Sequence, residues 1–122
     1  MKKIIIASTA IALIFAACKS TKQTTTVAPA AALDCSSNKN LTYNTDIKTI
    51  IQTNCSKCHN TNNKAGYNFL TLESVKKAAS NGQLLGTIKH SKGFPKMPAF
   101  AAKMDQATID KIECWINNGM KE

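Results

Sequence analysis

Apolar side chains recur every three or four residues in three stretches of this chain, the spacing that places them on one face of a helix. The predicted helices span about residues 45–54, 72–80 and 106–118. Their apolar faces are formed by Ile47, Ile50 and Ile51, then Leu72, Val75 and Ala79, then Ile109, Ile112 and Ile116. No segment shows a convincing strand pattern, so the predicted fold class is all-α.

Polar residues and glycines mark the ends of these helices. The expected N-caps are Asn44 or Thr45 for the first helix, Thr71 for the second and Asp105 for the third. Gly82 and Gly119 are expected to end the second and third helices. The first helix leads directly into Cys55.

The first residues predict an export signal. A basic start is followed by a run of 14 residues, Ile4 to Ala17, which are apolar or small apart from Ser8 and Thr9. This run is too short for a spanning helix of about 20 residues. The sequence Phe15-Ala16-Ala17-Cys18 resembles the lipobox of bacterial lipoproteins, which implies cleavage before Cys18 and acylation of its thiol. The alternative is an ordinary signal peptide that is cut nearby, with Cys18 incidental.

Composition then divides the chain into three parts. Residues 1–17 are the predicted lipoprotein signal peptide, residues 18–35 the lipidated cysteine and a flexible Thr- and Ala-rich tether, and residues 36–122 a single small domain. Lys19 follows the lipid cysteine where an acidic residue would favour inner-membrane retention. The expected location is therefore a lipid anchor in a bacterial membrane, preferably the outer membrane, with the domain facing the periplasm or the cell surface.

The five residues Cys55-Ser56-Lys57-Cys58-His59 form C-x-x-C-H, the attachment sequence for c-type haem. Cys55 and Cys58 can each add across one vinyl group of the porphyrin, and His59 then lies under the iron as its proximal ligand. The predicted cofactor is one covalently bound heme c with its iron.

Two other interpretations of this cysteine pair remain open. A zinc site needs two further ligands, and only His90 and Cys114 are left to supply them. A thioredoxin-like redox pair belongs at the start of a helix in a βαβ unit, and no strand-like alternation surrounds Cys55. The export signal favours haem, because haem is attached to this motif outside the cytoplasm.

Five cysteines are an odd number for an exported protein. With Cys18 assigned to lipid and Cys55 and Cys58 to haem, one pair remains. In an oxidising compartment Cys35 and Cys114 are predicted to form a disulfide that contributes on the order of 4 kcal/mol by the chain-entropy estimate. The alternative is two free thiols.

The second axial position of the iron separates an electron carrier from an enzyme or a sensor. Met97 is the predicted ligand, because Pro95 and Pro98 stiffen the backbone around it. A soft, neutral thioether favours ferrous iron and raises the reduction potential relative to two histidines. Met104, His90 or an open position are the alternatives.

These features together resemble the small monohaem class I cytochromes c over about residues 41–119. The resemblance rests on the helix before the C-x-x-C-H motif, a central helix, the Met97-Pro98 loop and the closing helix with Ile112-Glu113-Cys114-Trp115-Ile116 followed by Gly119. It implies three main helices packed around one covalently attached haem with an exposed edge.

By position, the resemblance implies thioether bonds at Cys55 and Cys58, with His59 and Met97 as axial ligands. Its first and last helices cross, which makes the Cys35–Cys114 bridge geometrically reasonable. The residues after the motif are candidates for the pocket wall or for ordinary packing: Tyr67, Phe69 and Leu70.

The formal charge is +9, and every basic residue is a lysine. The lysines that flank the two ligand segments include Lys57, Lys64, Lys92 and Lys96. They would steer an acidic redox partner in a salt-dependent way, or simply form a solvated surface. Nucleic acid is an improbable partner for an exported, arginine-free domain.

The leading hypothesis is a membrane-tethered carrier of single electrons between periplasmic or membrane redox proteins, and not an enzyme. The sequence contains no paired carboxylates, Ser/His/Asp set or phosphate loop, and no small-molecule substrate is expected. The alternative is a haem enzyme or a gas- or peroxide-binding sensor whose distal position is open or displaceable, with His90 as the only distal histidine available.

Overall fold

The computed structural model describes residues 33–62 and 66–122. These residues form four α-helices: α1 (Lys48–Asn54), α2 (Leu72–Ser80), α3 (Gln83–Ile88) and α4 (Gln106–Asn117). A 3₁₀ turn (Ser36–Asn38) and a wide π-helical turn (Tyr43–Ile47) precede α1. The described part of the chain contains no β-strand, and the predicted all-α fold is confirmed.

The first helical segment begins earlier than the sequence predicts. Thr42 has an extended backbone and caps the π-helical turn, with its hydroxyl accepting from the Thr45 N–H at 3.4 Å. The Asp46 carboxylate accepts from the Thr42 N–H at 3.0 Å and completes this cap. The expected caps Asn44 and Thr45 are therefore wrong, because the wide turn adds residues before regular α-helix starts.

The caps of α2 and α4 agree with their predictions. The Thr71 hydroxyl accepts from the Ser74 N–H at 3.4 Å, and the Asp105 carboxylate accepts from the Thr108 N–H at 2.8 Å. A cap at each of these positions satisfies one backbone donor that the first turn of a helix leaves unpaired.

The short helix α3 was not predicted. It follows Gly82, whose left-handed backbone (φ +77°) stops α2 and redirects the chain at once. Because α3 has only six residues and contains Gly86, its periodicity was too brief to stand out. Leu84 and Ile88 lie on its buried face, four residues apart.

The hydrophobic core forms where the segment that begins at Leu41 meets α2, α3 and α4. Its fully enclosed side chains are Ile47, Ile51, Val75, Ile109, Ile112, Cys114 and Trp115. The indole N–H of Trp115 donates to the carbonyl oxygen of Lys121 at 2.8 Å, and the same oxygen accepts from the Tyr43 N–H at 2.9 Å. The C-terminal residues are thereby fixed across the core rather than left free.

Cys35 and Cys114 are joined by a disulfide with their Cα atoms 5.5 Å apart. Cys114 is completely buried in α4, and Leu33 also packs against the core. The packed body therefore includes residues just before the predicted domain start at residue 36. The predicted signal peptide (residues 1–17), Cys18, and the tether as far as residue 32 lie outside the described residues.

No helix among the described residues has the length and apolar character needed to cross a bilayer.

Candidate functional site

A cavity of about 610 Å³ opens between the end of α1, helices α2 and α3, and the loop before α4. Its chemically distinctive lining residues are Cys55, Cys58, His59, Met97 and Met104. Apolar walls are contributed by Tyr67, Phe69, Ala78, Leu84, Ile88 and Phe100, among others. Cavities of this size and character are typical of cofactor sites.

The turn after α1 presents the two thiols to the cavity. The Cys55 N–H donates to the carbonyl oxygen of Ile51 at 2.9 Å, which continues the helix by one residue. The Cys55 carbonyl oxygen then accepts from the N–H groups of Cys58 and His59, at 3.1 and 2.9 Å. This tight turn brings Cys55, Cys58 and His59 to one wall, and both thiols are free of any disulfide.

The two thiols differ in their surroundings. Cys55 is half-buried, and this burial raises the pKa of its thiol to about 11, since an apolar setting disfavours the thiolate. Cys58 is exposed at the cavity mouth. One thiol thus lies inside the cavity and the other at its rim.

The His59 imidazole is oriented by its own neighbourhood. Its Nδ1 lies 3.2 Å from the carbonyl oxygen of Tyr67. Because a carbonyl oxygen can only accept, Nδ1 carries the proton and the lone pair of Nε2 is free for a metal. The ring also packs against Phe69, with centroids 4.8 Å apart, and the Phe69 N–H donates to the His59 carbonyl at 2.8 Å.

The segment after the motif is anchored on α2. The Tyr67 hydroxyl accepts from the Asn81 side-chain amide at 2.6 Å, and the Tyr67 ring stacks on Phe69 with centroids 5.7 Å apart. Of the three candidates for the pocket wall, Tyr67 and Phe69 line the cavity, whereas Leu70 does not and is 52% exposed.

Met97 enters the cavity on a loop held by α3. Its N–H donates to the carbonyl oxygen of Thr87 at 3.1 Å, and its own carbonyl oxygen accepts from His90 Nε2 at 3.0 Å. The Met97–Pro98 peptide bond is cis. Of the alternatives to Met97, Met104 also lines the cavity, whereas His90 does not.

Sequence reasoning missed the wall that α3 provides. Leu84, Thr87 and Ile88 all face the cavity, and Thr87 also holds the loop that carries Met97. The four-residue spacing of Leu84 and Ile88 was the available signal. Phe100, which also lines the cavity and is fully exposed, had no signal beyond its position after Pro98.

The residues present fit a covalently bound haem. A flat apolar macrocycle suits the carbon-rich walls, two free thiols suit its two vinyl groups, and an imidazole with a free Nε2 suits its iron. The zinc interpretation lacks its ligands, because Cys114 is in the disulfide and His90 Nε2 is engaged with Met97.

An all-α fold around a cavity with these groups defines a monohaem c-type cytochrome of class I. Residues 44–116 match the family model described as "Cytochrome C oxidase, cbb3-type, subunit III", and the chain belongs to this cytochrome c family. The family implies covalently bound heme c with its iron and a role in electron transfer. No curated protein and no solved structure gives a significant match to the chain.

Proposed function

We propose that this chain is a carrier of single electrons in which Cys55 and Cys58 form the thioether bonds and His59 and Met97 are the axial ligands. The observation that carries the proposal is that these four side chains line a single cavity. A bound haem supplies reversible one-electron exchange between ferric and ferrous iron. Axial ligands that stay bound in both the ferric and the ferrous state favour such exchange, because the iron site then changes little in geometry when an electron is transferred.

The surrounding residues support this role. The Tyr67 carbonyl fixes the ring of His59 and leaves its Nε2 free to bind iron. Phe69, Leu84 and Ile88 form a water-excluding wall, which disfavours the extra charge of ferric iron. Together with a thioether ligand, this wall favours the ferrous state and a reduction potential above that of a bis-histidine haem.

The test is an absorption spectrum of the haem-loaded protein, oxidised and then reduced. We expect sharp c-type bands on reduction and the weak far-red band of sulfur–iron coordination in the ferric state. Met97→Ala should abolish the far-red band. Met104→Ala is the matched control, because Met104 also lines the cavity, and it should keep the band.

The alternative function, a haem enzyme or sensor, predicts a different result. An open or displaceable distal position would let the reduced wild-type protein bind carbon monoxide rapidly. Rapid binding, together with an unchanged spectrum for Met97→Ala, would overturn the carrier proposal.

We further propose that acylation of Cys18 tethers the domain to a bacterial membrane, preferably the outer one. The support is sequence alone: an apolar leader, a lipobox-like end and Lys19 after the cysteine. In a host with lipoprotein processing, the wild-type haem protein should sediment with membranes, while Cys18→Ser should be recovered in the soluble periplasmic fraction. Membrane attachment that survives Cys18→Ser would contradict the lipid anchor.

The proposed partners are acidic redox proteins. Lys57 is exposed and lines the cavity, and Lys96 is an exposed neighbour of Met97. With an acidic electron acceptor, Lys57→Gln and Lys96→Gln should lower the second-order rate at low salt and flatten its salt dependence. Lys39→Gln is the control, since Lys39 is also exposed but does not line the cavity. Equal effects at all three positions would indicate only a general charge effect.

A further inference from the structure

His90 occupies an unusual backbone conformation directly after α3. Its φ is +58°, in the left-handed region, and it follows Lys89, the C-cap of the helix. Glycine is the usual residue at this position, because a Cβ atom is unfavourable in left-handed backbone. A non-glycine residue that is held there against this cost indicates a role for its side chain.

The half-buried His90 ring reaches across to the loop that carries Met97. Its Nε2 lies 3.0 Å from the Met97 carbonyl oxygen. Because that oxygen can only accept, Nε2 carries the proton and donates it. The His90 backbone is itself held in this left-handed turn, because its N–H donates to the Thr87 carbonyl oxygen at 3.2 Å.

Both polar backbone groups of Met97 are therefore held by the last turn of α3 and by His90, which follows the C-cap of that helix. The Met97 N–H donates to Thr87, and the Met97 C=O accepts from His90. Removal of the His90 donor would leave one of these two bonds and an unpaired carbonyl.

We propose that His90 is a positioning residue that holds Met97 in the cavity through its carbonyl oxygen and so keeps the distal position closed. The inference rests on the proposed ligation by Met97. A loop movement that carries the Met97 backbone, and with it the thioether, away from the cavity breaks the bond between His90 and Met97. Loss of the donor therefore increases the fraction of protein in which another ligand can reach the iron.

The experiment is cyanide binding to the ferric, haem-loaded protein, with the far-red band measured in parallel. His90→Phe keeps a ring but has no N–H. We expect it to bind cyanide roughly two- to ten-fold more tightly than wild type, the fold-change of one neutral hydrogen bond. The far-red band should weaken. His90→Gln carries an amide N–H that can donate, and it should recover part of both properties.

His90→Gly separates positioning from stability. Glycine suits the left-handed backbone, so this variant should unfold at a higher temperature than His90→Phe and yet bind cyanide as tightly. A purely structural role predicts wild-type cyanide affinity for His90→Gly. Thr71→Ala, which removes the cap of α2, is the control for general destabilisation and should leave cyanide affinity unchanged.

The outcomes distinguish this inference from the proposed function. Wild-type cyanide affinity and a wild-type far-red band in both His90→Phe and His90→Gly would overturn the role of His90 alone. If Met97→Ala also keeps the band, the ligation by Met97 is wrong.

Discussion

The ring of Phe94 lies directly against Gly86, so closely that a methyl carbon added at Gly86 would be 2.5 Å from Phe94 Cε1. Gly86 lies inside α3, and its carbonyl oxygen accepts from the Ser91 N–H at 2.9 Å. The Phe94 N–H in turn donates to the Ser91 carbonyl at 3.1 Å. This close approach allows the loop between His90 and Met97 to fold back onto the helix.

We therefore predict that Gly86→Ala destabilises the protein. Glycine to alanine in a helix normally stabilises, by about 1 kcal/mol, because alanine is the better helix former. Here the added methyl group displaces the Phe94 ring, and we expect a net loss of about 1–3 kcal/mol in the free energy of unfolding, with a weaker far-red band. Chemical denaturation of the haem-loaded protein measures the first effect.

The double variant Gly86→Ala/Phe94→Ala is the control for this interpretation. If the ring is the obstacle, its removal makes the effect of Gly86→Ala smaller or even stabilising, and the two changes are strongly non-additive. Additive effects would show that the contact between Gly86 and Phe94 is not the cause.

Removal of the disulfide should destabilise the domain without altering its spectrum. Cys35→Ser leaves Cys114 as a buried thiol, which behaves as a small apolar side chain. The bridge spans 79 positions, and its loss is expected to lower the free energy of unfolding on the order of 4 kcal/mol. Guanidinium denaturation of wild type and Cys35→Ser measures the difference, and identical midpoints would contradict the prediction.

Acid should weaken the cap of α4. Hydrogen bonds from the Thr108 hydroxyl and N–H hold the pKa of Asp105 below its usual value of 3.8. The pKa of Asp105 is lower in the folded protein than in the unfolded chain, so the ionised carboxylate stabilises the fold at pH values above the unfolded pKa. This stabilisation is lost as the pH falls through the folded pKa.

Asp105→Asn tests this effect, because its amide oxygen can still accept at the cap but does not titrate. Denaturation midpoints measured from about pH 6 down to about pH 3 should fall more steeply in wild type than in Asp105→Asn. Because both proteins have the same haem site, acid effects on the iron ligands cancel in the comparison. Parallel curves would mean that Asp105 does not contribute to the acid sensitivity.

The two thiols proposed to attach haem, Cys55 and Cys58, should differ in reactivity when haem is absent. With a pKa of about 11, only about one Cys55 thiol in a thousand is ionised at about pH 8. Cys58 is also the more accessible of the two. In chain produced without haem, iodoacetamide should therefore modify Cys58 before Cys55, as peptide mass mapping will show. Equal rates would indicate that the cavity forms only together with the haem.

The sequence predicted the parts of this protein that follow from local patterns. The apolar stripes of α2 and α4 and their caps at Thr71 and Asp105 depend on residues within one or two turns. The motif at Cys55–His59 is likewise contiguous, and it indicated haem attachment while zinc and a redox pair remained open alternatives. These features required no knowledge of distant contacts.

The rest depends on contacts that a single sequence does not contain. Nothing local to His90 indicates that its ring reaches the carbonyl of Met97, because that contact depends on the left-handed turn after α3. The Tyr67 carbonyl that orients His59 is a backbone group, so its role is independent of side-chain identity. The cap at Thr42 was missed because the π-helical turn that it precedes is too short to show a helical repeat of apolar residues in the sequence.

The disulfide also determines how the domain responds to mechanical load. A pull on the chain before Cys35 is transmitted through the covalent bridge to Cys114 in the middle of α4, and from there into the fully buried core around Trp115. The segment between the two cysteines, which contains the attachment motif and Met97, is bypassed by this covalent path. A load applied between the chain before Cys35 and the chain after Cys114 would therefore reach the residues of the proposed haem site only through the packed core.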